Sequence, residues 1–139
     1  MEKTVPIPQG SYVPATRYGN LIFTAGMTPR NKGRLILSGK IDPQKPLDYY
    51  KDAVRQAADN ALTAAQSKLA PGETIRQVLH LTVYVNAESD FQQHSKIADF
   101  ATQYLVDELG ANGVAARASV GMASLPGNAP VEIEIVCAV

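Results

Sequence analysis

Apolar and polar residues alternate along the first half of the chain in a way that predicts three short strands followed by a helix. Short apolar runs bounded by turn residues predict strands over residues 12–16, 21–25 and 35–37. Apolar residues then recur at three- and four-residue steps over residues 47–69, which predicts a helix, and the many alanines there favour it further. The opening of the chain is therefore expected to be a small antiparallel meander that leads into a helix.

The second half of the chain predicts one long strand, a second helix and two final strands. Strict alternation predicts a strand over residues 75–85, and Asp90 is placed to cap a helix that ends at residues 110–113. Two further alternating segments, residues 116–122 and 131–137, predict the last strands. The expected order is β-β-β-α-β-α-β-β, an α+β arrangement in which two helices cover one face of a mixed sheet.

The other face of this sheet is not polar. The strand–helix–strand unit from residue 75 to residue 122 predicts parallel strands. Val78, Thr82 and Tyr84 are expected to share the face of the first strand that the helices leave open, together with Val136 from the last strand. Because apolar sheet surface is unfavourable in water, we expect another copy of the chain to cover it, which makes a homo-oligomer.

Composition narrows the classes of function. The 139 residues make 14.9 kDa, the size of one domain over residues 1–139, and thirteen basic residues balance thirteen acidic ones. A net charge of zero argues against a dedicated nucleic-acid binder and against docking on an anionic membrane. No stretch resembles a signal peptide or a membrane span, so a cytoplasmic location is expected.

The residue types give little support for metal or thiol chemistry. Cys137 is the only cysteine, so neither an intrachain disulfide nor a thiolate metal site is possible. His80 and His94 lie in different predicted elements with no carboxylate at a metal-site spacing. We therefore expect no metal site.

The strand predicted over residues 116–122 carries the residues that are best suited to bind a small molecule. Its alternation places Arg117, Ser119 and Gly121 on one face. Two residues along a strand span roughly 6.6 Å, so Arg117 and Ser119 can contact the two ends of one small molecule. An arginine on a sheet face offers a planar fork to a carboxylate or a phosphate.

The last predicted strand adds two carboxylates. Glu132 and Glu134 fall on one face, and a glutamate on a strand next to Arg117 can orient a water or accept a proton. The alternative is a structural ion pair between Arg117 and one of these glutamates across the sheet. The pattern alone leaves both interpretations open, and the ion pair is the commoner arrangement for charged strand residues.

Residues 116–126, followed by residues 129–134, closely resemble the C-terminal signature of the reactive intermediate deaminase family, also called RidA or YjgF-like. Residues 10–13 and 19–26 resemble the opening of the same family. The resemblance implies a chorismate-mutase-like two-layer sandwich that assembles as a homotrimer. In that assembly the three sheets enclose a central barrel, and three clefts lie between the subunits.

The same resemblance implies an activity. Members that keep the arginine hydrolyse imines and enamines of 2-oxo acids, such as 2-aminoacrylate, 2-iminopropanoate and 2-iminobutanoate, to the 2-oxo acid and ammonia, with no cofactor. The alternatives are a non-catalytic trimer that binds a 2-oxo acid for regulation, and an endoribonuclease or translation inhibitor. Zero net charge makes the RNA-directed alternative less attractive.

The resemblance also assigns roles to single residues. Arg117 falls on the arginine that binds the substrate carboxylate, and Glu132 on the glutamate that positions the attacking water. Tyr12 falls on the tyrosine that covers the substrate from the neighbouring subunit. Backbone N–H groups near Ser119 and Gly26 are expected to bind the carboxylate oxygens.

Three positions depart from the family pattern. Ser119 stands where the best-known members have cysteine, Ala25 where they have serine, and Ser95 where they have asparagine. These changes leave the capture of a carboxylate by Arg117 intact, and the chain is expected either to prefer another imine or to be a weak deaminase.

Overall fold

The computed structural model describes residues 4–139, which contain seven strands and two α-helices. The strands are β1 (Ala15–Tyr18), β2 (Leu21–Thr24), β3 (Arg30–Asn31), β4 (Arg34–Leu35), β5 (Gln77–Asn86), β6 (Ala116–Met122) and β7 (Val131–Ala138). The helices are α1 (Lys51–Gln66), preceded by a 3₁₀ turn over Leu47–Tyr50, and α2 (His94–Leu109).

Five strands form one mixed sheet in the order β1-β2-β7-β5-β6. Strands β5 and β6 are parallel, and the other neighbours in this sheet are antiparallel. Strands β3 and β4 form a separate two-stranded ribbon, so of the three strands predicted for the opening meander only the first two join the main sheet. The α+β class, the two helices and the parallel pair are confirmed, and β6 has the predicted bounds.

Both helices pack on one face of the sheet. Helix α1 contacts β7 and β2, and α2 contacts β6 and β5. The alanines of α1 are buried, which lets α1 approach both α2 and the sheet closely. The buried core consists of these alanines and the branched residues that the central strands send toward the helices, including Leu81, Val83, Ile133 and Ile135.

The start of α2 differs from the prediction. The helix begins at His94, and Gln93 rather than Asp90 occupies the N-cap position, without a side-chain hydrogen bond. The reason is a turn in which the Phe91 amide donates to the Glu88 carbonyl at 3.0 Å, with the Phe91 ring buried beneath it. The chain therefore turns at Asp90 and starts the helix one turn later.

A β-bulge in β5 corrects the predicted faces of that strand. The register shifts between Val78 and His80, so Val78 is fully buried and Leu79 is 37% exposed, the reverse of the strict alternation. Beyond the bulge the prediction is confirmed, because Thr82 and Tyr84 point away from the buried Leu81 and Val83.

The sheet face away from the helices is partly apolar. Leu21, Phe23, Val120 and Met122 remain 38–44% exposed there. These side chains belong to β2 and β6, and the polar Tyr84 and Glu134 of β5 and β7 lie between them on the same face.

Candidate functional site

Arg117 and Glu132 lie on opposite faces of the sheet. In the pairing of β5 with β6, Arg117 stands beside Leu81 and Ser119 beside Val83, both of which face the helices. In the pairing of β5 with β7, Glu132 stands beside Tyr84, which points the other way. Residues paired in register share a face, so the sheet itself separates the arginine from the glutamate.

The predicted ion pair between Arg117 and the glutamates of β7 is therefore wrong. Strand β5 lies between β6 and β7, so the two strands are not neighbours. The expected neighbouring position of Glu132 fails for the same reason. The carboxylate that Arg117 binds is Asp99 of α2, with Nη1 and Oδ1 2.8 Å apart.

Helix α2 holds the Arg117 guanidinium with four contacts. Nη1 donates to Asp99 Oδ1 and to Thr102 Oγ1 at 3.1 Å, and Nη2 donates to Ser95 Oγ at 2.8 Å and to the Ser95 carbonyl at 3.2 Å. Since the two Nη atoms carry four hydrogens, these contacts occupy both arms of the fork. A ligand carboxylate that binds the two Nη atoms must therefore exchange with one of these partners.

Asp99 is the partner that exchanges most easily. Its side chain is 65% exposed, while that of Arg117 is 19% exposed. Asp99 offers one oxygen only, so it forms a single charged hydrogen bond rather than a bidentate pair.

Sequence reasoning found Ser95 through the family resemblance but missed Asp99 and Thr102. The three residues follow at steps of four and three along α2, which places them on one side of a helix. That spacing of hydrogen-bonding side chains, in the helix that precedes the strand of Arg117, was the available signal.

Ser119 and Gly121 continue the same face of β6 beyond Arg117. Ser119 is half-buried. At Gly121 a Cβ atom would come within 2.7 Å of His94 Nε2, so the His94 ring occupies the space that a side chain there would need. The first group of candidate residues thus consists of Arg117, Ser119 and Ser95, with His94 at its end.

A second group surrounds Glu132 at the opposite face. A Cβ atom at Gly26 would lie 2.9 Å from Cδ of Glu132, so the carboxylate packs directly against the Gly26 backbone. Reciprocal hydrogen bonds of 2.7 and 2.9 Å between Met27 and Ile133 fix this approach. Ala25 precedes it and donates its amide to the Pro14 carbonyl at 2.8 Å.

Tyr12 lies in the segment before β1, two residues before Pro14, whose carbonyl accepts the Ala25 amide. Its side chain is 49% exposed, and its hydroxyl accepts a hydrogen bond from the Gln9 amide at 3.1 Å. The ring therefore stands on the surface, and within its own chain it does not reach Arg117.

The two glutamates of β7 differ in their surroundings. Tyr84 donates to Glu134 Oε1 at 2.6 Å, and this hydrogen bond, with burial, raises the pKa of Tyr84 to about 12. Burial, and to a smaller extent the charge of Glu134, raises the pKa of Glu132 above its usual value. Within residues 4–139 no hydrogen bond or ion pair engages the Glu132 carboxylate, which leaves it available to a water or a ligand.

The remaining candidate groups contribute no chemistry of this kind. Cys137 is buried, and burial raises the pKa of its thiol to about 12, so it is not a thiolate nucleophile. The described part of the chain holds no cluster of three metal-ligating side chains. None of the helices in residues 4–139 has the length and apolar character needed to cross a membrane.

Comparison with known proteins places this arrangement in a family. Residues 2–139 match the family described as Endoribonuclease L-PSP. The RutC family protein PH0854 of Pyrococcus horikoshii is 28% identical over 135 residues, which cover 96% of this chain and 91% of that protein.

Solved structures show the same fold. The crystal structure of Atu1372, a protein of unknown function from Agrobacterium tumefaciens, has a TM-score of 0.87 and 32% identity, covering 99% of this chain and 87% of that one. The YjgF gene product of E. coli has a TM-score of 0.67 and 25% identity, covering 96% of this chain and 92% of that one. The chain belongs to the Endoribonuclease L-PSP family, the RidA or YjgF-like family that its C-terminal strands resemble.

Proposed function

We propose that the protein is a homotrimeric deaminase that hydrolyses imines and enamines of 2-oxo acids to the 2-oxo acid and ammonia. The observation that carries the proposal is the arrangement of two incomplete groups. Arg117, with Ser119 and Ser95, lies on one face of the sheet and would bind the substrate carboxylate, and Glu132 beside Gly26 lies on the other face and would bind the water.

The separation of these groups is the argument for a cleft between subunits. One small molecule cannot touch both faces of a single sheet, whereas two copies can bring the Arg117 group of one subunit to the Glu132 group of the next. The exposed apolar side chains of the open face, Phe23 and Val120 among them, supply surface for such an interface. Tyr12, exposed in the segment before β1, would then cover a substrate held by the neighbouring Arg117.

The proposed reaction needs orientation and one proton carrier. Arg117 exchanges Asp99 for the substrate carboxylate and so fixes the imine carbon. Glu132 orients a water, and the water oxygen bonds to this carbon while Glu132 takes a proton. Glu132 passes this proton to the nitrogen, which gives a carbinolamine, and then carries the hydroxyl proton to the same nitrogen. The carbon–nitrogen bond then breaks, and ammonia leaves as the carbonyl of the 2-oxo acid forms. A raised pKa suits Glu132 to accept and return that proton.

The direct test is a coupled assay. An amino-acid oxidase generates imines from several amino acids, and semicarbazide traps what survives. We expect wild type to lower the trapped imine, and Glu132→Gln to slow turnover while binding of 2-oxobutanoate is largely retained. Binding of 2-oxobutanoate with no loss of any imine would contradict the deaminase and leave a 2-oxo-acid-binding protein.

Mixed assemblies test whether the cleft is shared. Arg117→Ala and Glu132→Gln chains, each expected to be much less active than wild type, are unfolded together and refolded as random mixtures. In a cyclic trimer with one residue from each side of every interface, about one cleft in four regains both groups. Recovery of roughly that fraction of activity supports a shared cleft, and no recovery in assembled mixtures would place both residues in one subunit.

A further inference from the structure

The proposed reaction leaves His94 without a role, although its ring lies at the end of the Arg117 group. His94 is the first residue of α2 and directly precedes Ser95, which binds Arg117. Within residues 4–139 neither ring nitrogen of His94 forms a hydrogen bond or an ion pair. The ring packs edge-on against the buried Phe91 ring, with centroids 5.3 Å apart at 62°. Packing, and not a polar contact, therefore holds the imidazole in place.

The His94 ring fills the space over β6 at Gly121. A Cβ atom at Gly121 would come within 2.7 Å of Nε2 and 3.4 Å of Cδ2. Non-bonded heavy atoms need roughly 3.5–4.0 Å between them, so no ligand atom can lie between the ring and the strand at this point. A molecule that lies along the Arg117 face of β6 must therefore end at His94.

A cavity of about 470 Å³ lies where β5 and β6 end. His94 and Gly121 line this cavity and also form the end of the Arg117 group, so they are the boundary between the two spaces. Ala87, Phe91 and Met122 give the cavity apolar surface. An apolar cavity of about 150 Å³ is enough to hold benzene, so this one has room for a phenyl group.

The contacts of Arg117 show how far a substrate reaches. Arg117 Nη2 lies 3.2 Å from the Ser95 carbonyl, so the guanidinium ends beside the residue that follows His94. Ser119 and Gly121 are one step of two residues apart, which spans roughly 6.6 Å along β6.

Two imines differ in length on this scale. Carbon–carbon bonds are about 1.5 Å long, so 2-iminobutanoate extends roughly 4 Å from its carboxylate carbon to its methyl group. The imine of phenylalanine extends roughly 6.5 Å by the same measure. A short substrate that lies over Ser119 therefore stops before the ring, whereas the longer one meets it.

We propose that His94 is a specificity-determining residue, whose ring limits the length of the substrate side chain. The ring excludes long apolar side chains from a cavity that could otherwise hold them, so the protein selects imines with short side chains. This inference rests on the proposed deaminase function and specifies which imines that function accepts.

The kinetic test compares 2-iminobutanoate with the imine generated from phenylalanine, in the coupled assay described above. We expect wild type to have the higher kcat/KM for 2-iminobutanoate. His94→Ala opens the passage from Ser119 to the cavity, so it should lower the ratio of the two kcat/KM values at least about tenfold, the scale of discrimination by side-chain size. A ratio that His94→Ala leaves unchanged would overturn the proposal.

A volume-matched variant tests whether the bulk of the ring is what matters. His94→Leu fills a similar space without a ring nitrogen, and both Ala and Leu favour the helix that starts here. We expect His94→Leu to keep most of the wild-type preference for 2-iminobutanoate. Equal loss of the preference in both variants would contradict a limit set by bulk, because it would assign the effect to the imidazole nitrogens.

Gln93→Ala is the matched control for changes at the start of α2. Gln93 is exposed, occupies the N-cap position without a side-chain hydrogen bond and does not line the cavity. This variant should keep the wild-type ratio. A fall in the ratio as large as that in His94→Ala would attribute the effect to a disturbed helix start and would contradict the proposal.

Direct binding separates failure of this proposal from failure of the proposed function. Calorimetric titration measures the affinities for 2-oxobutanoate and phenylpyruvate without turnover. Tighter binding of 2-oxobutanoate in wild type, with a shift of at least about tenfold toward phenylpyruvate in His94→Ala, supports the limit on length even if no imine is hydrolysed. Equal ratios of the two affinities in both proteins, together with imine hydrolysis, would overturn the limit and leave the deaminase standing.

Discussion

Two combinations of an arginine and a glutamate can be compared in this molecule. One is a closed pair, in which the two side chains bind each other, and the other consists of two separated side chains. Near the sheet edge, Arg17 of β1 binds Glu73 with both arms of its fork, at 2.5 and 2.9 Å. It also donates to the carbonyls of Gly19 and Lys68, at 2.9 and 3.0 Å. In the candidate site, Arg117 and Glu132 lie on opposite faces of the sheet and do not meet.

The difference shows in the partners of each arginine. Glu73 gives Arg17 two carboxylate oxygens, and this pairing, with the Ala70 amide, lowers the pKa of Glu73 to about 2. Asp99 gives Arg117 one oxygen and is mostly exposed. The first arginine is therefore bound in a way that joins β1 to the segment after α1, while the second is held in position and remains exchangeable.

The largest effect is expected from removing each arginine in turn. Arg117→Ala should lower kcat/KM for imine hydrolysis by roughly a hundredfold or more, because the substrate loses its charged anchor. Arg117→Lys should also lose much of the activity, since an ammonium cannot form the planar fork. Arg17→Ala should instead lower the thermal unfolding midpoint by a few degrees and retain kcat/KM. Equal loss of activity in Arg17→Ala and Arg117→Ala would contradict the distinction between a structural Arg17 and a substrate-binding Arg117.

The ion pair between Arg17 and Glu73 should affect how the stability of the folded chain changes at acidic pH. The pKa of Glu73 is lower in the folded chain than in the unfolded one, so the unfolded chain binds more protons as the pH falls. The stabilisation is complete above the ordinary pKa of about 4.5 and is lost as the pH falls toward 2. Glu73→Gln should therefore lose less stability than wild type across that range, measured by urea unfolding at several pH values. Parallel pH curves for the two proteins would show that the pair contributes little.

Removing the charge of Asp99, the exchangeable partner of Arg117, should have a smaller effect and should strengthen ligand binding rather than weaken it. Asp99→Asn removes the carboxylate that competes with a ligand for Arg117, so 2-oxobutanoate should bind roughly two- to fivefold more tightly, in line with an exposed ion pair. Calorimetric titration measures this, and Asp107→Asn, which affects the ion pair with Arg55, serves as a matched control. Weaker binding in Asp99→Asn would make Asp99 a residue that positions Arg117 rather than one that competes for it.

The smallest expected effect is a shift in the pKa of Glu132. The charge of Glu134 is the lesser cause of the raised pKa of Glu132, and burial is the larger. Glu134→Gln keeps an oxygen for the Tyr84 hydroxyl and removes the charge, so the pKa of Glu132 should fall while staying above its ordinary value. The acid limb of the kcat/KM profile for imine hydrolysis should move to lower pH. A limb that moves to higher pH would assign it to another group.

Local patterns predicted much of the fold because they report local geometry. The span of β6 and the shared face of Arg117, Ser119 and Gly121 follow from a period of two. The bulge at Leu79 was not predictable in this way, since one unpaired residue reverses the alternation without a sequence marker. The turn at Phe91 likewise delayed α2 because burial of a ring outweighed the cap signal of Asp90.

The division of the candidate site depends on strand order, which the periodicity does not encode. A period of two sorts each strand into two faces but does not say which faces of two strands coincide. The insertion of β5 between β6 and β7 separates the two strands, and their registers against β5 place Arg117 and Glu132 on opposite sides. The partners of Arg117 on α2 were hidden for a related reason, because the contact depends on how a helix lies over an edge strand.

Two glycines give the candidate site its shape by the atoms they lack. Added Cβ atoms at Gly26 and Gly121 would press on the ends of the Glu132 and His94 side chains, which are flexible, rather than on backbone. Such changes therefore leave the chain able to fold while they displace a side chain that the proposed function uses. Substitution at either glycine is therefore expected to impair the proposed activity or change its selectivity while the fold, its core and even Arg117 are kept.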